Sequence, residues 1–341
     1  MSSYFLGIDG GGTRTRAAIV NETGELLGVG LGGPTNYDDI GVEATRDHLR
    51  QAIDLARQDA GLESQQFEAA FLGLAGIVSD EDHRIIRQIT RELRLAPEAQ
   101  VGIDHDCRVA LAGSLSGRPG IVLIAGTGSA CYGRSASGNS WRSGGWGELL
   151  ADEGSGGWLG WQALRMAVRS YDGRERPSRL VNEILELFEL HHMNDIMHRI
   201  YHMGLSRKER AALAPLLINA ARDNDELAQR LLHEAVEELA LSVWAVANRL
   251  EMQGRTEVSI VGGLYSSFDP AQDKVKDVFA TPLRAAISSK LPGCRIQGAE
   301  LSPVIGACIL ALEQVRLDPR AISSTLAASE GKLQAILAQR Q

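Results

Sequence analysis

The sequence lacks the signatures of several common protein classes. It contains no GxxxxGK[ST] motif and therefore no P-loop. Its four cysteines lie far apart and form no CxxC pair, which favours buried thiols over a disulfide framework or a zinc site. The net charge is −8 and no block is rich in Lys and Arg. We therefore expect neither nucleic acid nor an anionic membrane as the main partner.

Long apolar runs are missing as well. No apolar segment opens the chain, and none reaches the length of about 18 residues that could cross a membrane. We expect no signal peptide, no transmembrane helix and a cytoplasmic protein. What the chain does have is 341 residues, 44% of them hydrophobic, which is enough for more than one domain.

The stretch Leu6–Thr15 carries an acidic residue followed by three glycines. Asp9 ends a short apolar run that predicts a strand, and the glycines after it let successive backbone N–H groups approach an anion closely. Residues 16–20 predict a second strand, whereas the dinucleotide fingerprint GxGxxG needs a helix at that place. The stretch therefore predicts an acid that holds a metal through water beside a backbone cradle for phosphate. An ordinary glycine turn is the alternative.

The first 117 residues predict three antiparallel strands and then an alternation of helices and strands. An amphipathic pattern over residues 42–56 indicates the first helix, and Ser79 to Asp82 form an acidic, capping-competent start for the second. A short strand follows at residues 101–104. The order βββαβα, with an acid at the end of one strand and another after a later strand, is typical of a nucleotide-binding α/β domain.

The second part of the chain repeats the strand and glycine turn with which the first part begins. After a turn-rich joint at residues 117–120, an apolar strand leads into Gly126-Thr127-Gly128-Ser129. Such a repeat indicates two similar domains, each giving one phosphate-facing hairpin to a shared cleft. Another strand ends at Gly262-Gly263, where the backbone can approach a flat group such as adenine with its ribose; a plain strand-to-helix turn is the alternative.

The segment from Gly144 to Trp158 combines glycines, carboxylates and indole rings. This composition suits neither a core nor a helix, but it suits a polyhydroxylated ligand. Carboxylates accept hydrogen bonds from vicinal hydroxyls, and an indole covers the apolar face of a sugar ring. The alternative is a surface loop with Glu148 and Glu153 in solvent. Beyond Trp158 the pattern is mostly helical.

Together these motifs resemble the BadF/BadG/BcrA/BcrD ATPase family, and within it the N-acetylglucosamine kinases. The resemblance covers residues 4 to about 312 and is specific as a joint pattern. Its motifs are Gly7-Ile8-Asp9-Gly10-Gly11-Gly12-Thr13, His105-Asp106-Cys107, Gly126-Thr127-Gly128-Ser129, Gly144-Gly145-Trp146-Gly147 with Asp152-Glu153-Gly154-Ser155, Val261-Gly262-Gly263, and Pro303 to Ala307.

The resemblance implies an α/β fold of two ribonuclease-H-like, actin-like ATPase domains around a central nucleotide cleft. We place the first domain at residues 1–117 and the second, with a helical insertion, at residues 118–319; the tail 320–341 is free to pack back on the first domain. The implied activity is ATP- and Mg²⁺-dependent phosphorylation of an amino sugar at its 6-hydroxyl. A homodimer is also implied.

The resemblance assigns a role to each matching position. Asp9 becomes the magnesium-organising acid and Asp106 the general base. The residues assigned to ATP are Gly10, Gly11, Gly12, Thr13, Thr127, Gly128, Ser129, Gly262, Gly263 and Ser267. The residues assigned to the sugar are Asn36, Gly145, Trp146, Gly147 and Asp152.

The chain departs from the family pattern at three places. His105 stands where Asn is frequent, Ala151 where Gly is frequent, and Ala130 where the animal enzyme has Asn. Asp104 is a rival for the base, because residues two apart on a strand share a face.

Other functions stay open. Glucosamine, N-acetylmuramic acid or glucose could replace N-acetylglucosamine as the acceptor. Some relatives are ATP-driven activators of dehydratases or reductases that hold an iron–sulfur cluster through cysteines between subunits. The cysteines argue against that activity, since Cys107 and Cys131 both adjoin predicted nucleotide turns. A sugar-responsive regulator is disfavoured because the first predicted strand begins at residue 4 and leaves no room for a helix-turn-helix.

Overall fold

A computed structural model describes residues 3–62, 65–252, 254–266 and 277–339. The chain forms two compact units, the first made of Met1–Gly120 with Gly298–Gln341 and the second of Ile121–Gln297. Among the described residues, no helix is both long and apolar enough to cross a membrane.

The strands of the described ranges run in chain order as follows: β1 (Tyr4–Gly10), β2 (Thr15–Asn21), β3 (Leu26–Gly32), β4 (Ala69–Leu74), β5 (Val101–His105), β6 (Gly120–Ala125), β7 (Ser129–Arg134), β8 (Ser140–Gly144), β9 (Glu257–Val261) and β10 (Arg295–Gln297).

The helices of the same ranges are α1 (Tyr37–Ile40), α2 (Val42–Ala60), α3 (Asp80–Leu93), α4 (Asp106–Ser114), α5 (Gly156–Tyr171), α6 (Leu180–Leu187), α7 (Ile196–Tyr201), α8 (Arg207–Ala211), α9 (Ala214–Arg222), α10 (Glu226–Arg249), α11 (Gly263–Ser266), α12 (Ala280–Lys290), α13 (Pro303–Gln314) and α14 (Ser323–Gln339). Short 3-10 turns lie at Glu98–Gln100, Met193–Asp195 and Pro319–Ile322.

Each unit contains a five-stranded sheet, and the two sheets have the same strand order. The first runs β3-β2-β1-β4-β5 and the second β8-β7-β6-β9-β10. In the first sheet, β2 is antiparallel to β1 and β3, while β1, β4 and β5 are parallel. In the second sheet, β7 and β8 are antiparallel, while β6, β9 and β10 are parallel. The predicted α/β fold built on an internal repeat is therefore confirmed.

Alternating residues of the first sheet face two different helical layers, as the period of two in a strand requires. Leu6 and Ile8 pack in one apolar cluster with residues of α2 and α3. Phe5 packs on the opposite face in a cluster with residues of α13 and α14. Burial of each apolar side chain stabilises the unit by about 1.5–3 kcal/mol, so the alternation fixes which face each residue takes. Asp9, four residues after Phe5, lies on the α13 face.

Helix α13 belongs to the first unit, whereas the domain division predicted from the sequence placed it in the second. That division placed residues 298–319 in the second domain, whereas Gly298–Gln341 belongs to the first unit. Helix α13 crosses α4 with backbone contact, because a Cβ at Gly306 would lie 2.2 Å from the Val109 carbonyl oxygen. The tail also joins this unit: Ser329 Oγ accepts from Leu26 N at 2.9 Å and donates to the Gly24 carbonyl at 2.8 Å.

The helices of the second unit cover its sheet. The longest, α10, buries an apolar stripe that includes Leu232, Leu239 and Val243. Its start is fixed by Asp225, whose side chain accepts hydrogen bonds from the N–H groups of Leu227 and Ala228. Asp225 is therefore the N-cap of this helix.

Candidate functional site

The β1–β2 connection is a glycine hairpin, as predicted. Gly11 N donates to the Arg14 carbonyl at 3.0 Å, and Gly12 and Thr13 are exposed at the tip. A Cβ at Gly10 would lie 2.2 Å from Thr35 Oγ1, so only glycine fits there. Thr35 Oγ1 accepts in turn from Thr15 Oγ1 at 3.0 Å. This buried pair of hydroxyls fixes the base of the hairpin and leaves the tip accessible to a ligand.

Asp9 is a partly buried acid near the end of β1, with 19% of its side chain exposed. It lies opposite Arg16 in the β1–β2 register, and Arg16 Nη1 is 3.6 Å from Asp9 Oδ2. Burial raises the pKa of Asp9 to about 6, an effect opposed by Arg16 and reinforced by the charge of Asp106. The site therefore holds an acid whose ionised form is not fully compensated, which is the electrostatic condition that a bound cation would relieve.

The sheet brings Asp106 to the same face as Asp9. Asp9, Gly73 and Asp104 are aligned across β1, β4 and β5. A Cβ at Gly73 would lie 2.4 Å from the Val109 side chain, so α4 packs directly over this row. Asp106 is the first residue of α4 and follows β5 immediately. The two predicted acids thus come together because a parallel strand and its following helix end and begin at one edge of the sheet.

The Asp106 carboxylate is held by its neighbours in sequence. His105 Nδ1 lies 2.7 Å from Asp106 Oδ1. Burial by itself raises the pKa of Asp106, but hydrogen bonds and charge from His105, with hydrogen bonds from Cys107, outweigh it and place the pKa below its usual value. The carboxylate is therefore ionised at neutral pH and can accept a proton. The rival Asp104 accepts a hydrogen bond from His105 N at 2.7 Å through Oδ1.

Asn36 belongs to the same unit and follows Thr35 directly. Its Nδ2 donates to Asp39 Oδ2 at 2.7 Å, while its Oδ1 is buried and has no hydrogen-bond partner among the described residues. A Cβ at Gly76 would lie 2.4 Å from that oxygen. An amide oxygen in this state can accept from a ligand hydroxyl or amide.

The second unit presents the turn predicted from GTGS. Gly126 N donates to the Gly128 carbonyl at 3.0 Å, which closes the turn between β6 and β7. The start of α5 also stabilises the turn, since Gly157 N donates to the Thr127 carbonyl at 2.9 Å. Ser129 N donates to Asp152 Oδ1 at 3.3 Å. Thr127, Gly128 and Ser129 are therefore joined to Asp152 in one polar site.

Asp152 is buried and has an unusual backbone conformation. It is buried to 4% exposure and has a left-handed backbone with φ of 67°. Burial raises its pKa, and the Ser129 N–H and Arg207 oppose that effect. Arg207 Nη2 lies 3.5 Å from Asp152 Oδ2. Non-glycine residues rarely adopt this φ, and such strained carboxylates concentrate at functional sites.

The Gly145-Trp146-Gly147 loop is tied to the same site. Gly145 N donates to the Ser129 carbonyl at 3.1 Å. Trp146 is 63% exposed, and its ring carries the Arg142 guanidinium 4.9 Å from the ring centroid. Glu148 is paired with the buried Arg210 and is not merely solvated. An exposed indole held by a fixed loop is a suitable surface for the apolar face of a sugar.

Gly262 and Gly263 adjoin the GTGS turn from the neighbouring parallel strand. Gly262 has φ of 112°, and a Cβ there would lie 2.4 Å from the Ala125 carbonyl oxygen. The β6 and β9 strands pair in register up to Ile124 and Val261, so both turns leave the same end of the sheet. Ligands in α/β folds bind at the carboxyl ends of parallel strands. Ser267, predicted to contact adenosine, lies outside the described residues.

The predicted residues thus form two groups, one in each unit. Asp9, Gly10–Thr13, Asn36 and Asp106 share the first; Thr127–Ser129, Gly145–Gly147, Asp152, Gly262 and Gly263 share the second. Sequence reasoning did not select Arg16 and Arg207. Strand register from the hairpin could have paired Arg16 with Asp9, whereas nothing in the local sequence links Arg207 to Asp152.

Two repeated five-stranded α/β units, each with a glycine turn at its first hairpin, define a protein of the actin-like ATPase fold. A family model described as the BadF/BadG/BcrA/BcrD ATPase family matches residues 6–311, and the chain belongs to that family.

Three relatives illustrate the similarity. The chain is 33% identical to an N-acetylmuramic acid/N-acetylglucosamine kinase of Clostridium acetobutylicum, over 90% of this chain and 98% of that protein. It is 27% identical to an N-acetyl-D-glucosamine kinase of Dictyostelium discoideum, over 90% of this chain and 97% of that one. A solved structure assigned as an N-acetylglucosamine kinase of Chromobacterium violaceum superposes with a TM-score of 0.70 at 27% identity, over 91% of this chain and 99% of that one.

Proposed function

We propose that the protein transfers the γ-phosphoryl group of ATP to an amino sugar, with N-acetylglucosamine and its 6-hydroxyl as the acceptor. The observation that carries the proposal is the pair of acids Asp9 and Asp106 beside a glycine hairpin, within a chain 33% identical over 309 residues to a kinase of N-acetylated amino sugars. Phosphoryl transfer needs positioned phosphates, charge neutralisation and a group that orients the attacking hydroxyl.

The two glycine turns are proposed to bind ATP. The hairpin Gly10–Thr13, with Gly12 and Thr13 exposed at its tip, is proposed to bring backbone N–H groups to phosphate. Thr127 and Gly128 are proposed to do the same, with Ser129 beside them, whose own N–H donates to Asp152. Gly262 and Gly263 are proposed to lie against adenosine, because their backbone carries no side chain at the end of β9. Ser267 keeps its predicted adenosine contact as part of this proposal.

Asp9 is proposed to hold Mg²⁺, and the residues present fit that ion. Its carboxylate is partly buried and repelled by Asp106, so a hard cation with oxygen ligands would stabilise both ionised groups. The neighbouring cluster of His105, Asp106 and Cys107 offers nitrogen and sulfur donors, which Mg²⁺ does not prefer. When bound, the ion neutralises charge on the phosphates.

Asp106 is proposed to take the proton of the sugar hydroxyl. It is ionised at neutral pH because its neighbours lower its pKa, and it stands at the helix start where the sheet presents Asp9. A positioned base of this kind contributes a factor of about 10² to 10⁴ in rate. Asp104 stays the alternative base, and the variants Asp106→Asn and Asp104→Asn separate the two.

Asn36, the Trp146 loop and Asp152 are proposed to contact the sugar. The unpartnered Oδ1 of Asn36 supplies an acceptor, Asp152 supplies a charged acceptor, and Trp146 supplies an aromatic surface. Gly145 and Gly147 hold the loop with φ values of 68° and 80°.

The activator function has little support. An iron–sulfur cluster between subunits needs accessible thiolates. Cys107, Cys131 and Cys308 are buried, and burial raises the pKa of the Cys131 and Cys308 thiols. Cys294 is partly buried.

The deciding experiment measures ADP release from Mg-ATP with N-acetylglucosamine, glucosamine, N-acetylmuramic acid or glucose, each against a control without sugar. A response to N-acetylglucosamine supports the full proposal. A response to another amino sugar alone keeps the reaction and changes the acceptor. ATP hydrolysis that no sugar stimulates would overturn the proposal. The homodimer expected from the resemblance stays a prediction that light scattering of the purified protein tests.

A further inference from the structure

His105 occupies two positions at once: it ends β5 and is the N-cap residue of α4. Its Nδ1 lies 3.1 Å from the Cys107 amide nitrogen and 2.7 Å from Asp106 Oδ1. The ring is largely buried, with 14% of the side chain exposed, and its neighbour in the sheet register is the apolar Leu74. One ring nitrogen therefore faces both a helix amide and the carboxylate of the proposed base.

The two contacts of Nδ1 exclude one another. A ring nitrogen without hydrogen accepts from Cys107 N, whereas one with hydrogen donates to the carboxylate. Asp106 Oδ1 is buried and has no hydrogen-bond partner among the described residues unless Nδ1 of His105 carries that hydrogen. An unpartnered buried carboxylate oxygen costs more than an unpartnered amide at a helix start, so the donating form is favoured.

We propose that His105 is a positioning residue for Asp106, whose carboxylate it fixes through an Nδ1–H to Oδ1 hydrogen bond. This inference rests on the proposed role of Asp106 as the base. The other charged groups near the carboxylate do not do this: Asp104 is bonded to the His105 backbone, and Asp9, paired with Arg16, repels Asp106. His105 thereby fixes which direction the second carboxylate oxygen takes toward the sugar hydroxyl.

Two variants separate this role from helix capping. Ser and Asn are equally good N-cap residues, so His105→Ser and His105→Asn both preserve the start of α4. Asn places an amide N–H where Nδ1 lies, and it can cap through its oxygen while it donates to Asp106. The Ser hydroxyl is one bond closer to the main chain and does not reach that place. The two variants therefore differ in whether residue 105 can donate a hydrogen bond to Asp106, and both keep a good N-cap residue for α4.

The measurement is steady-state sugar phosphorylation by the full chain, with thermal midpoints taken on the same preparations. We expect His105→Ser to lower kcat about 10- to 100-fold, the loss typical of a misplaced catalytic group, with the KM for sugar changed less than about threefold. We expect His105→Asn to keep kcat within about fivefold of the parent protein. Thermal midpoints of the two variants should agree.

Equal kcat values for the two variants would overturn the inference, as would a loss confined to KM. Asp106→Asn, measured in the same series, keeps the two proposals distinguishable. If Asp106→Asn retains activity, the proposed base is wrong. If Asp106→Asn is inactive while His105→Ser is as active as His105→Asn, the base stands and only the role of His105 fails.

Discussion

Asp9 and Arg16 face each other in register across β1 and β2, and an ion pair of 3.6 Å joins Asp9 Oδ2 to Arg16 Nη1. The pair is incomplete, because burial still raises the pKa of Asp9 from 3.8 to about 6. The folded protein thus holds an ionised acid at neutral pH against a net electrostatic cost. Such a cost is typical of functional sites, where a charge is kept for a ligand and not for stability.

Asp9→Asn should stabilise the folded protein at pH 7 and abolish phosphoryl transfer. Because the folded pKa is raised, stability falls as pH rises from about 4 to about 6, and the full cost, at most about 3 kcal/mol, is present at pH 7. Unfolding midpoints between about pH 5 and pH 8 should therefore show a gain for the variant that shrinks as pH falls. Asp54→Asn, at an exposed carboxylate of α2, serves as the control and should change neither property. A variant less stable than the parent at pH 7 would mean that the Arg16 contact outweighs burial.

Asp106→Asn should lower kcat by a factor of about 10² to 10⁴, because the amide cannot take a proton. Asp104→Asn is the matched comparison, two residues earlier on the same segment, and its amide oxygen can still accept the hydrogen bond from His105 N. Steady-state rates with saturating sugar and Mg-ATP distinguish them. A larger loss in Asp104→Asn would transfer the role of base to Asp104.

Asp152→Asn should raise the KM for sugar at least about tenfold, the effect of replacing a charged hydrogen bond by a neutral one. The fold should survive, since Asn tolerates the φ of 67° and its oxygen can still accept from Ser129 N. The thermal midpoint should stay equal or rise. Burial raises the pKa of Asp152, which means that burying its charge is unfavourable, and the neutral Asn side chain removes that charge. Glu153→Gln next to it is the control and should leave the KM for sugar unchanged. An unchanged KM in Asp152→Asn would remove Asp152 from the sugar site.

Gly262→Ala and Gly263→Ala form a contrasting pair at the end of β9. A Cβ at Gly262 meets the Ala125 carbonyl at 2.4 Å and φ is 112°, so that variant should lose stability by about 1–3 kcal/mol or fail to fold. A Cβ at Gly263 meets nothing within 4 Å. Gly263→Ala should fold normally and raise the KM for ATP if adenosine lies against it. Thermal unfolding and ATP titration measure the two effects, and normal ATP binding by Gly263→Ala would place adenosine elsewhere.

Much of the architecture could be predicted because it depends on local sequence patterns. The three antiparallel strands β1 to β3 and the Ser79 cap each depend on neighbours a few residues apart, and the structure has them where expected. The repeat of strand and glycine turn likewise predicted two similar sheets. The site residues came from motif order, and their roles stay predictions.

What the tertiary structure alone decided are relationships between distant segments. The placement of α13 and α14 with the first unit depends on backbone contact at Gly306 and on Ser329, which no local pattern reveals. The same holds for Arg207 beside Asp152, and for the row of Asp9, Gly73 and Asp104 that brings Asp106 near Asp9. The sequence by itself determined which elements form and which residue types stand at their ends. Packing decided which of those ends meet, because burial and electrostatic contact depend on distance in space and not on separation along the chain.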